Sequence, residues 1–116
     1  MEHIEIAGGG VVIGFYGMAG ADKSARARAF EDEVLALIPG HGGRVVFRGI
    51  RQATEPDHLP AEFHVLWFPT ELALANYLAD DRRALMIARH GDVFDDKVSV
   101  RLDAVLFSDD GKGTPE

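Results

Sequence analysis

The polar residues with the widest chemical reach in this chain sit in segments of β character: Tyr16, Arg48, His64, Arg101 and Asp103. Histidine titrates near ~6.5 and can take a proton at neutral pH, whereas arginine keeps its charge and presents a planar fork of donors to anions. His64 is therefore expected as the catalytic proton acceptor. Arg48 and Arg101, with Tyr16 and Asp103, are expected to bind an anionic or enolate-like small ligand. A structural alternative stands beside this one: Arg101 and Asp103, two apart on one strand, compensate each other's charge at an interface, and His64 is a hydrogen-bonded core histidine.

Other constellations point elsewhere and fail on their spacing. Gly17-Met-Ala-Gly20-Ala-Asp22-Lys23-Ser24 follows an apolar run and precedes a helical pattern, the setting of a phosphate-binding loop. That loop needs glycine directly before Lys-Ser so that backbone can approach phosphate, and Asp22 would put a carboxylate there. The segment is read as a strand exit and helix cap. His90, Asp92, Asp95 and Asp96 offer imidazole and oxygen ligands, but neither as a calcium loop nor as a helical zinc pair, so a solvated loop and no metal are expected. Arg44, Arg48 and Arg51 form a small basic cluster, and Arg82-Arg83 is neutralised by Asp80-Asp81 before it.

Elements that could position these residues follow from periodicity and breakers. Val11 to Met18 reads as a buried strand, bounded by glycines. Asp22 or Ser24 can cap a helix with Ala27, Phe30, Val34, Leu37 and Ile38 at helical spacing, Glu31 and its acidic neighbours lying outside that stripe, and Pro39-Gly40 stopping it. Arg44 to Arg51 is a strand interrupted by charge. Glu62 to Phe68 is the most apolar strand, ended by Pro69. Thr70 caps a helix over Glu71 to Ala79, and Asp80-Asp81 caps a shorter one ended by Gly91. Lys97 to Phe107 alternates as a final strand.

The order βαββαβ, with an extra short helix before the last strand, predicts an α+β ferredoxin-like sandwich: four antiparallel strands in order 4-1-3-2 with helices on one face. Apolarity ranks the first and third strands as central and the charged second and fourth as edges. With 116 residues, one domain is expected over residues 1–107, followed by a flexible acidic tail over 108–116. Nineteen acidic against twelve basic residues give a net charge of −7, which repels phosphate backbones and anionic lipid, so nucleic acid and membrane are not expected partners. The absence of cysteine excludes disulfides and thiolate chemistry and fits a reducing cytosol. No charged segment leads into an apolar signal core, and the uncharged stretch from Ile6 to Ala21 is broken by six glycines, so a cytoplasmic location is expected.

Strand parity, started from the clean alternation of the last strand, assigns Val98, Val100 and Leu102 to the helix side, together with Phe63, Val65, Trp67, Val45, Phe47, Val11, Ile13 and Phe15. The open face then holds Val12, Tyr16, Val46, Arg48, Ile50, His64, Leu66, Phe68, Ser99, Arg101, Asp103 and Val105. That face is too apolar to stay wet, and no helix remains to cover it. A homodimer through the open sheet is expected.

The strand ending in Phe68-Pro69-Thr70, the Ala-rich helix Leu72 to Asp81 (LALANYLADD) and an arginine-bearing segment before the last strand resemble the dimeric α+β barrel superfamily, over roughly Val11 to Val105. Within it they resemble the domain of unknown function 1330 family. The resemblance implies a dimeric barrel and no assigned chemistry, while other branches are similar to cofactor-independent monooxygenases and haem-degrading oxygenases. Trp67 and Asn76 match the haem-degrading set by residue type, but the helix carrying Asn76 lacks a histidine, so neither haem nor any other cofactor is expected and Trp67 is read as core. The functional expectation is a cofactor-free enzyme, monooxygenase-like or isomerase-like, or a binder acting on a small metabolite; the alternative is a non-catalytic ligand-sensing or interaction module.

Overall fold

A computed structural model describes residues 9–107 and 113–115 of the chain. Strands β1 (Val11–Met18), β2 (Arg44–Ile50), β3 (Pro60–Phe68) and β4 (Asp96–Leu102) form an antiparallel sheet in the order β2-β3-β1-β4. This is the expected ferredoxin-like order read from its other edge. Helices α1 (Ser24–Leu35), α2 (Glu71–Leu78) and α3 (Asp81–His90) cover one face, and a 3₁₀ turn (Ile38–His41) joins α1 to β2. No helix among the described residues is long and apolar enough to cross a membrane.

Two helix starts follow their sequence signals. Thr70 accepts from the Ala73 backbone N–H at 3.0 Å, and Asp80 accepts from that of Arg82 at 2.9 Å. The start of α1 differs: neither Asp22 nor Ser24 caps it by side chain, because the carbonyl of Gly20 already takes the Lys23 and Ser24 N–H groups, each at 2.9 Å. The helix also ends before Pro39, at Leu35, and tightens into the 3₁₀ turn. Gly91 ends α3 at a φ of +73°, where a side chain would be strained.

The final strand is shorter than expected. Pairing with β1 stops at Leu102, and after Asp103-Ala104 the chain forms β5 (Val105–Phe107), which pairs with β6 (Gly113–Pro115) as a separate two-stranded unit. Part of the expected flexible tail is thus paired; residues 108–112 and 116 lie outside the described residues.

Register corrects the face assignment. Phe15 faces His64 on β3 and Ser99 on β4, and directly opposed residues share a face. Val11, Ile13 and Phe15 do point to the helices. So do His64, Leu66, Phe68, Arg48, Ser99 and Arg101, which parity had put on the open face. Conversely, Phe63, Val65, Trp67, Phe47, Val98, Val100 and Leu102 lie on the open face with Val12 and Tyr16. Trp67 is therefore no core residue beneath a helix; its indole lies across Gly10, where a Cβ would come within 2.2 Å of Nε1.

The error has a physical cause. Both faces of this sheet are rich in apolar side chains, so amphipathic alternation does not reveal which face is inside, and on β4 the inner face is the polar one.

Two buried clusters lie under the helices. Ala27, Phe30 and Val34 of α1 pack with Ala19, Ala61, Val93 and Phe94, and Leu35 and Ile38 pack with Leu66, Phe68, Leu74 and Tyr77. The loop after α3, expected to be solvated, instead inserts Val93 and Phe94 into the first cluster. Gly17 permits this, since a Cβ there would sit 2.4 Å from the Phe94 ring.

Candidate functional site

Between the sheet and the helices lies a cavity of about 810 Å³, within the range of small-molecule sites. Its apolar walls come from Ile13 and Phe15 on β1, Phe30 and Val34 on α1, Leu66 on β3, Leu74 on α2, and Val93 and Phe94. The polar lining is small and chemically specific: Glu31, His64, Tyr77, Arg83, Asp92, Lys97, Ser99 and Arg101. Asp92, Lys97 and Arg101 are exposed and mark the mouth, whereas Glu31 and His64 are buried at 6% and 3% exposure.

His64 is held from both sides. Its Nε2 lies 2.7 Å from Oε1 of Glu62, and its Nδ1 lies 3.7 Å from Oε2 of Glu31. The ring stacks on Phe15 with centroids 5.0 Å apart. Glu62 in turn accepts from Arg48 through both oxygens, each at 3.0 Å, and Arg48 also donates to Asp32 at 2.6 Å. Glu62 alternates with His64 along β3, so period-two geometry alone turns both side chains inward.

Electrostatics divide the two carboxyls. Burial opposes ionisation of Glu62, but the hydrogen bonds from His64 and Arg48 outweigh it and hold the group below its ordinary value. An ionised Glu62 accepts only, so the His64 proton belongs on Nε2 and Nδ1 carries the lone pair toward Glu31. Among the described residues Glu31 has no such donors. Burial pushes its carboxyl from 4.5 up to about 7, and His64, once Nδ1 takes up a proton, partly offsets the rise. A carboxyl poised near neutrality beside an imidazole lone pair is a proton-transfer arrangement, and Glu62 is the third group that orients it.

The residues expected from sequence are distributed unevenly. His64 and Arg101 line the cavity, and Arg48 stands outside the lining, bound to the Glu62 that holds His64. Tyr16 lies on the opposite face of the sheet, and Asp103 follows the end of β4, exposed and outside the lining. Arg101 pairs with Glu71 at 2.6 Å rather than with Asp103. The proposed cluster on the open face is thus corrected: three of its members belong to the helix side.

Glu31, Glu62, Tyr77 and Arg83 were not singled out from sequence. Glu31 had a signal, because it stands four residues after Ala27 and three before Val34 and so falls on the buried stripe. Arg83 had none beyond its spacing from Ile87.

No family model matches the chain, so the resemblance to the domain of unknown function 1330 family gains no support, and no curated protein matches. Solved structures do match. One, described as a candidate antibiotic biosynthesis monooxygenase from Caulobacter crescentus, is 19% identical with a TM-score of 0.66, covering 84% of this chain and 92% of that one. A NIPSNAP family protein of unknown function from Agrobacterium tumefaciens is 17% identical with a TM-score of 0.64, covering 93% and 98%. A dimeric ferredoxin-like protein of unknown function from Thermobifida fusca is 14% identical with a TM-score of 0.59, covering 88% and 97%. At such identities the likeness is one of fold, and it establishes the ferredoxin-like architecture.

Proposed function

We propose that this chain is a cofactor-free, isomerase-like enzyme that moves a proton within a small, partly aromatic metabolite held between sheet and helices. The convergence of Glu31 and His64 on one largely apolar cavity carries this reading. His64 Nδ1 takes a proton from an acidic carbon of the ligand, and neutral Glu31 gives one to the neighbouring carbonyl oxygen as the electron pair moves there. Glu31 recovers its proton from His64, so the cycle closes without an oxidant or a metal. Glu62 and Arg48 hold the imidazole in its tautomer throughout.

The test uses phenylpyruvate, whose keto and enol forms interconvert through this step and differ in ultraviolet absorbance. Wild-type protein should accelerate the interconversion. Glu31→Gln and His64→Gln should each lower the rate by ~10²-fold or more, the range of positioned acid–base catalysis. Binding of phenylpyruvate without acceleration would leave the non-catalytic ligand-sensing reading in its place.

The partner proposed for the open face is a second copy of the chain. Phe47, Phe63, Val100 and Leu102 there are 56%, 46%, 49% and 41% exposed, and on β4 the charge on this face stands at the end of the strand, at Asp96. A contiguous patch of this kind marks an interface, and a two-fold axis lets one apolar face cover its copy. The structural likeness to a dimeric ferredoxin-like protein supports the same arrangement.

A further inference from the structure

We infer that Arg83 is the anion anchor of this cavity and that the ligand carries a planar carboxylate on an aromatic or unsaturated body. The inference rests on the cavity being a ligand site and specifies what enters it. Other arginines that line or support the site are already committed, Arg48 to Glu62 and Asp32 and Arg101 to Glu71. Arg83 is half-buried, its Nε is shielded from solvent without a hydrogen-bond partner, and no carboxylate pairs with it among the described residues. A sequestered guanidinium in that state lacks the anion that its desolvation calls for.

Arg83 is also fixed in place. Its guanidinium lies over the Tyr77 ring at 5.4 Å, and the Tyr77 hydroxyl donates to the Val34 carbonyl at 3.1 Å, which ties α3 through α2 to α1. The guanidinium carries more N–H groups than Tyr77 can take, and its planar fork matches both oxygens of a carboxylate. Phe15, Phe30 and Phe94 on the cavity walls suit a flat body. Arg83 lies close enough to Glu31 for its charge to favour the ionised carboxylate, so a bound anion there also alters the proton-transfer pair.

Titration calorimetry with trans-cinnamate and its neutral isostere trans-cinnamamide tests this directly. Wild-type protein should prefer cinnamate by at least ~10-fold, the scale of one charge-assisted hydrogen bond. Arg83→Leu should abolish that preference while leaving cinnamamide affinity within about twofold, and Arg83→Lys should restore part of it. Equal wild-type affinity for the two compounds would overturn the anchor while keeping the ligand site, and it needs no variant to fold. A preference that survives Arg83→Leu would overturn it too. If neither compound binds at millimolar concentration, both the anchor and the ligand-site reading fall.

Discussion

Replacing Glu31 by Gln isolates the energetic consequence of burying a carboxyl without enough donors. The glutamine keeps the shape and cannot ionise. In the folded chain the carboxyl titrates at about 7 rather than 4.5. Because the folded value is raised, the stabilising contribution of the protonated form is complete below about pH 4.5 and is lost as pH rises through 7. At about 1.36 kcal/mol for each tenfold change in proton affinity, the ionised residue lowers stability by roughly 3 kcal/mol at pH 8 relative to acid. The assay is urea denaturation of wild type and variant at fixed protein concentration from pH 4.5 to 8.5, since self-association couples stability to concentration. Glu62, whose depressed titration works in the opposite direction, is present in both proteins and cancels. The stability of Glu31→Gln minus that of wild type should therefore climb by about 3 kcal/mol across this interval, whatever its value at the acid end. A difference that stays flat within about 0.5 kcal/mol would show that Glu31 titrates normally, and the proton-transfer pair would lose its acid.

Val100→Lys puts an ammonium in the middle of the open face and should give monomer or aggregate in sedimentation, where wild type should sediment as a dimer at micromolar concentration; a wild-type monomer refutes the interface. Phe68→Ala removes a ring with 0% exposure from the core and should cost about 3–5 kcal/mol in chemical denaturation. Trp67→Ala, on the other face of the same strand, should cost the isolated subunit less, and the reverse order would return β3 to the opposite parity. Gly17→Ala drives a methyl into the Phe94 ring and should destabilise by about 1–3 kcal/mol, with near-ultraviolet circular dichroism reporting the displaced aromatic.

Element order, strand ranking and the caps at Thr70 and Asp80 were legible in the sequence because each rests on local rules: β-branched runs, breakers, and side-chain oxygens that satisfy free backbone N–H groups. Those rules suffice for the βαββαβ order and for β1 and β3 as the central strands. They do not say which side of a sheet faces its helices when both sides are apolar. Only tertiary pairing decided that, by opposing Phe15 to His64 and Ser99 at once and so turning His64, Arg48 and Arg101 inward together. The same pairing brought residues from different elements, Glu31 on α1, His64 on β3 and Arg83 on α3, to a single cavity, with Glu62 of β3 behind His64. No periodicity encodes that meeting, because the charges that act on the Glu31 carboxyl come from groups 17 to 52 positions away in the chain, and they and its desolvation exist only once the helices have closed over the sheet.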